Sequence, residues 1–139
     1  MAGRLYIYTD GGSRGNPGPA AIGIVLLDKR KILLEHKERI GKATNNQAEY
    51  CALIKALELA SRYRPAEVVC TSDSELLIKQ VQGEYKIRNT ELQRLHAMLK
   101  ERERALPSVA YRHARRTHPR IQRADCLVNE ALDAAQGRV

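Results

Sequence analysis

Neither Trp nor Phe occurs in this sequence, so a folded interior has to be assembled from Leu, Ile, Val, Ala and Tyr. No apolar run approaches the ~20 residues needed to span a bilayer, and the first residues lack the pattern of a signal peptide. Together these absences make a cytoplasmic location, away from membranes, the expectation. Cysteine is scarce: Cys51, Cys70 and Cys126 lie far apart and form neither a CxxC pair nor a metal-spaced set. An odd number without a secretion signal argues for reduced thiols used as small packing residues. Internal repeats and linker-like stretches are missing as well. A chain of 139 residues is then read as one domain, 1–139, with a frayed tail at 136–139.

Acidic residues are in deficit. Lys and Arg number 24 against 16 Asp and Glu, giving a net charge of +8. A surface of that sign favours a polyanionic partner, nucleic acid first. The bases concentrate in Tyr111-Arg112-His113-Ala114-Arg115-Arg116-Thr117-His118-Pro119-Arg120, where few acids dilute them.

Residue patterning predicts alternating elements. Leu5–Tyr8 reads as a strand, and Thr9–Pro19, rich in Gly, Asn and Pro, as a long loop. Ala21–Leu27 is an almost wholly apolar strand, buried on both faces; Asp28–Lys31 turns the chain into a more polar third strand, Ile32–Ile40. Asn46 is placed to cap a helix presenting Tyr50, Leu53, Ile54 and Leu57, ending near Tyr63-Arg64-Pro65. Val68–Thr71 is a fourth strand. A helix opened by Asp73-Ser74 carries Leu76, Leu77 and Val81 until Gly83, and another from Asn89-Thr90 carries Leu92, Leu95, Met98 and Leu99. Val109–Arg112 is a fifth strand, and Ala124–Ala135 a last helix with Leu127, Val128 and Leu132 inward. The order is β-β-β-α-β-α-α-β-α, an α/β fold with helices layered on a sheet.

Four acids stand where chemistry is possible, and each has an ordinary alternative. Asp10 suits a turn before Gly11-Gly12. Glu49 could complete a capping box with Asn46. Asp73 could cap the following helix, and Asp125, near the start of the last one, could answer its dipole. Jointly they say more. If the first and fourth strands are parallel neighbours, Asp10 and Asp73 emerge side by side at the carboxyl edge, where α/β sheets bind ligands. Four converging carboxylates need a cation, and all-oxygen donors point to Mg²⁺ or Mn²⁺ rather than Zn²⁺.

At this point the sequence resembles the type 1 ribonuclease H family. The resemblance rests on Thr9-Asp10-Gly11-Gly12-Ser13, Gly15-Asn16-Pro17-Gly18, Thr44-Asn45-Asn46-Gln47-Ala48-Glu49, Ser72-Asp73-Ser74 and Ala124-Asp125, in family order over about residues 4–135. It implies a ribonuclease H-like fold with a five-stranded mixed sheet flanked by helices. It also implies an endonuclease that hydrolyses the RNA strand of RNA–DNA hybrids, leaving 5′-phosphate and 3′-hydroxyl ends. By the same resemblance Asp10, Glu49, Asp73 and Asp125 hold two Mg²⁺ ions, replaceable by Mn²⁺. Asp10 would bridge them, Asp125 would serve the ion that activates water, and Glu49 and Asp73 the ion at the leaving group. Two metals about 3.5–4 Å apart suit in-line displacement at phosphorus. Ser13, Asn16, Asn45 and Asn46 match minor-groove contacts, where a 2′-hydroxyl distinguishes RNA from DNA. Lys42, Thr44 and Asn89 match a pocket for a DNA phosphate.

Two departures stand out. Many members carry a basic protrusion after the second helix; Gly83-Glu84-Tyr85-Lys86-Ile87-Arg88 is too short to form one, so this is a small form. Arginines of the 112–120 loop, Arg115 among them, are expected to supply grip instead. Where the family often has a proton-shuttling His, ungapped counting reaches Arg115, with His113 and His118 nearby; His118 is the candidate. The competing readings are a non-catalytic binder of hybrids or double-stranded RNA, and the same hydrolytic chemistry directed at double-stranded RNA, the latter also conceivable as a side activity. Beside that double-stranded RNA reading stands another nuclease or integrase of this superfold as an alternative enzyme. An NTPase phosphate loop at residues 11–18 is excluded by the missing Gly-Lys-Ser/Thr ending. A monomer is expected.

Overall fold

A computed structural model of the protein describes residues 3–135; the tail expected at 136–139 lies outside the described residues. Five strands form one sheet in the order β3-β2-β1-β4-β5. These are β1 (Arg4–Ser13), β2 (Gly18–Asp28), β3 (Lys31–Ala43), β4 (Glu67–Ser72) and β5 (Val109–His113). The first three make an antiparallel meander, while β4 runs parallel to β1 and β5 parallel to β4. The helices are α1 (Asn45–Ser61), α2 (Glu75–Val81), α3 (Thr90–Arg104) and α4 (Pro119–Ala135). Element order and mixed sheet are those expected.

Side-chain alternation along β2 sorts the two layers. Ile22, Ile24 and Leu26 join the large core built with α1, α2 and α3. Ala21 packs against Val128, Ala131 and Leu132, and Val25 and Leu27 against Ala124 and Leu127, all of α4. A strand covered on both faces must be apolar at every position, which is why β2 reads as it does. Each fully buried Leu or Ile contributes about 1.5–3 kcal/mol relative to exposure, and Leu5, Ile7, Ile24 and Leu53 are completely buried. No helix among the described residues is long and apolar enough to cross a membrane.

Several boundaries differ from expectation for identifiable reasons. Asp10–Ser13 continue β1 instead of beginning a loop, pairing with Gly23–Ala20 of β2. Thr44 rather than Asn46 caps α1: its Oγ1 accepts from the Gln47 N–H at 3.1 Å, and Gln47 Oε1 accepts from the Thr44 N–H at 2.9 Å. That closed capping box satisfies two helix-end donors without Glu49. Ser74, not Asp73, caps α2 by accepting from the Leu77 N–H. Asn89 caps α3 as expected. α4 begins at Pro119, ahead of Ala124. Leu76 and Met98, expected inward, are exposed. Cys126 is exposed too, whereas Cys70 is buried and Cys51 partly so.

Candidate active site

Parallel pairing of β1 and β4 places Tyr8 opposite Thr71, so Asp10 and, just past the end of β4, Asp73 emerge side by side. Two helices then bring the remaining acids to the same point, each over a glycine. A Cβ at Gly11 would lie 2.4 Å from the Ala48 carbonyl, and one at Gly23, opposite Asp10 in register, 2.2 Å from the Ala124 oxygen. Bare backbone therefore lets α1 and α4 rest on the strands. The Gly11 N–H donates to Glu49 Oε1 at 2.6 Å, fixing that carboxylate.

Carboxylate oxygens of Asp10, Glu49 and Asp73 lie within 4.8 Å of one another. Glu49 is 8% exposed and the Asp73 side chain 14%. Asp125, itself exposed, faces the same cavity as Asp10, near enough for its charge to oppose ionisation there. It lies in the second turn of α4, beyond the first-turn position expected. All four acids line one cavity of about 500 Å³ with Gly12, Ser13, Asn45, Asn46 and Asn129. Burial, reinforced by the charges of Glu49, Asp73 and Asp125, drives the Asp10 carboxyl well above the usual carboxylate range. Burial also raises Glu49, against the Gly11 N–H, which favours its ionised form. A divalent cation would supply the missing compensation, and an all-oxygen cluster of this size suits a hard one.

The polar residues singled out in the sequence fall into several places. Asn45 Oδ1 accepts from the Ser13 N–H at 2.8 Å, and Asn16 Oδ1 accepts from the Asn45 N–H at 3.0 Å. With these carbonyl oxygens committed to backbone donors, what Asn16 and Asn45 present outward is their –NH₂ groups. The Ser13 hydroxyl donates to the Gly15 carbonyl. Thr44 and Asn89, the caps of α1 and α3, line a neighbouring cavity of about 340 Å³ with Asn16, Asn45, Asn46 and Gln47. Lys42 is not in that lining; it borders a separate groove with Arg39, Gly18 and Pro19. Arg115 and His118 are also outside the acidic cavity's lining, whereas Arg116 is part of it. Its Nε lies 3.4 Å from Asp73 Oδ2, with the side chain 90% exposed. Counting without a gap stops one residue short of it. Arg14 and Asn129 also line the cavity unannounced by the sequence. Asn129 sits one turn beyond Asp125 and donates to the Asp125 carbonyl at 3.1 Å, a spacing that could have marked it.

Comparison with known proteins agrees with this geometry. A family model described as "Reverse transcriptase-like" matches residues 8–131. Ribonuclease HI of Caulobacter vibrioides is 35% identical, over 100% of this chain and 99% of its own length. The chain belongs to the type 1 ribonuclease H family. Ribonuclease HI of Halobacterium salinarum is 42% identical over 96% of this chain, which spans only 66% of that relative's length. For a bifunctional protein of Mycobacterium tuberculosis the share is 36%. Among solved structures, LC11-RNase H1, isolated from compost by a metagenomic approach, superposes in its complex with RNA/DNA hybrid. The TM-score is 0.89 at 43% identity, covering 95% of this chain and 99% of that one. Type 1 ribonuclease H membership accounts for the mixed sheet and for its flanking helices.

Proposed function

We propose that this chain hydrolyses the RNA strand of RNA–DNA hybrids in a divalent-metal-dependent reaction that leaves 5′-phosphate and 3′-hydroxyl ends. The observation that carries the reading is the convergence of Asp10, Glu49 and Asp73 within 4.8 Å, with Asp125 on the same cavity, in a chain of net charge +8. A protein built only to bind a polyanion gains nothing from gathering acids where its ligand would lie. The LC11-RNase H1 complex with RNA/DNA hybrid supports the substrate class.

Asp10, Glu49, Asp73 and Asp125 would hold Mg²⁺, two ions per site, with Mn²⁺ as a substitute. Bound there, the ions would supply charge stabilisation at the attacking and leaving oxygens of an in-line displacement. The chain's own residues do the rest. Gly11 holds Glu49 in place through its N–H. Asn16 and Asn45, fixed through their carbonyl oxygens, offer –NH₂ donors to the RNA minor groove beside the acids, with Ser13 and Asn46 adjacent. There a 2′-hydroxyl can accept, which DNA cannot match. Thr44 and Asn89 bring the N-termini of α1 and α3 to one cavity, an arrangement suited to a phosphate of the DNA strand. Lys42, Arg115 and Arg116 add positive charge along the approach.

The test is an end-labelled hybrid, duplex RNA and duplex DNA, each incubated with the protein with and without Mg²⁺. The expected outcome is metal-dependent internal cutting of the RNA in the hybrid and none of duplex DNA. Cutting of duplex RNA at the hybrid's rate would move the substrate class to double-stranded RNA; binding without cutting would reduce the protein to a recognition module.

A further inference from the structure

His118 carries a nucleic-acid enzyme's most versatile side chain, sits in the basic loop, and yet does not border the acidic cavity. Its contacts describe a different task. The His118 carbonyl accepts from the Gln122 N–H at 2.9 Å, the first intrahelical bond of α4. Its ring Nδ1 accepts from the Arg120 N–H at 3.1 Å. Pro119 follows at the first helical position, where a missing N–H costs nothing. A residue whose carbonyl opens the helix and whose side chain accepts from the second helical N–H is an N-cap, here made by an imidazole. The ring also stacks on Tyr8 with centroids 4.9 Å apart and planes 27° from parallel. Tyr8 lies two residues before Asp10 on β1, on the side of the sheet that packs against Ala124 and Leu127.

We infer that His118 is a positioning residue: by capping α4 and stacking on Tyr8 it sets the helix's first turns against β1 and so holds Asp125 at Asp10. The inference rests on the reading of the acidic cavity as a hydrolytic metal site. Other contacts share the task without duplicating it. Arg123 forks onto Glu35 of β3 at 2.8 and 2.9 Å, fixing the helix sideways, and Gly23 sets how close Ala124 approaches. The His118–Tyr8 stack ties the start of α4 to the strand that carries Asp10. Loss of the cap frays the turns before Asp125, and a carboxylate displaced by about 1 Å from its reactive geometry can cost up to ~100-fold in rate.

His118→Ala, His118→Asn and Tyr8→Leu separate this role from proton shuttling. Asn restores a capping side chain but cannot carry a proton at neutral pH. Each variant is assayed on hybrid well below the melting temperature of the least stable one, across a Mg²⁺ series, with Mg²⁺ binding measured separately by calorimetry. For His118→Ala the expected result is a fall of about tenfold in kcat with KM for hybrid little changed, and weaker Mg²⁺ binding in the calorimeter. His118→Asn should recover to within about threefold of wild type, with the wild-type pH profile. Tyr8→Leu should show the Ala pattern in milder form. Two results would overturn the inference: His118→Ala matching wild type in rate and Mg²⁺ binding, or His118→Asn as slow as His118→Ala with normal Mg²⁺ binding and an altered pH profile. If wild type itself binds Mg²⁺ but cuts nothing, the hydrolytic reading fails; the cap is then still tested by Mg²⁺ binding of the variants, and unchanged binding in His118→Ala overturns it.

Discussion

Asp10 is held where burial and the charges of Glu49, Asp73 and Asp125 all oppose its ionisation. Without a cation, the folded protein keeps protons on Asp10 and Glu49 that the unfolded chain releases above about pH 4. The folded state then binds more protons than the unfolded one, so metal-free stability falls as pH rises from the ordinary carboxylate range. Asp10→Asn removes the carboxyl whose ionisation the fold opposes most. It should nearly abolish cutting while raising the metal-free melting temperature, more at about pH 8 than at about pH 5. Parallel melts and cleavage assays check both halves, and wild-type cutting by the purified variant would refute the metal-site assignment. Arg116 is the second residue with a clear consequence. Its guanidinium lies 3.4 Å from Asp73, on the carboxylate a divalent ion would use, and its charge also favours the ionised form of Glu49. Replacing it with Gln should tighten Mg²⁺ binding to the free protein by a few-fold, since a competing cation is lost, while weakening binding of hybrid to a catalytically silent Asp10→Asn background. Calorimetry on the free protein reads the first effect, and unchanged Mg²⁺ affinity would show that the ion pair does not matter in solution.

Elements explain both what could be read from the sequence and what could not. The four acids and the order of strands and helices were legible because strand ends and apolar periodicity are local signals. The length of β1 was not. Gly11 and Gly12 carry the composition of a turn, yet they extend the strand because α1 and α4 press on its two faces: a Cβ at Gly12 would already touch Val128 at 3.3 Å. The start of α4 was hidden for a related reason. His is not among the usual capping residues, and between Pro119 and Ala124 only Ile121 is apolar, so periodicity appears only further on. Glu49 was open to reading as half of a capping box until Thr44 and Gln47 proved to close it between themselves. These close approaches make Gly23→Ala informative. Its new methyl meets the Ala124 carbonyl with no flexible side chain to yield, so α4 must shift outward at the cost of roughly 1–3 kcal/mol. The variant should remain folded, melt lower and cut markedly more slowly through displacement of Asp125. Calorimetric melts and steady-state kinetics on hybrid test this, and an unchanged kcat would mean that the helix spacing at Gly23 does not govern Asp125.

At the scale of the whole molecule, the net charge of +8 and the acidic cavity pull in opposite directions. A phosphate backbone approaching the carboxylates meets repulsion unless cations are bound there, so attraction has to come from outside the cavity. Without room for a protrusion between α2 and α3, the loop between β5 and α4 is the natural source, since it contributes Arg115 and Arg116 beside the site and is followed by Arg120 and Arg123. Arg123 is committed to Glu35 and Glu130, which leaves the loop arginines as the side chains best placed to meet phosphate. Each phosphate neutralised releases condensed counterions, and the slope of log affinity against log salt counts them. Binding of hybrid to the Asp10→Asn protein should therefore weaken steeply with salt, and adding Arg115→Ala and Arg116→Ala should flatten that slope by about one to two units. The loss should be the same for hybrids of different sequence, because a guanidinium on phosphate reads charge and not bases. Fluorescence anisotropy across a salt series measures the slope directly. A slope that stays unchanged would place the phosphate contacts elsewhere, and the groove bordered by Arg39 and Lys42 would become the next surface to neutralise.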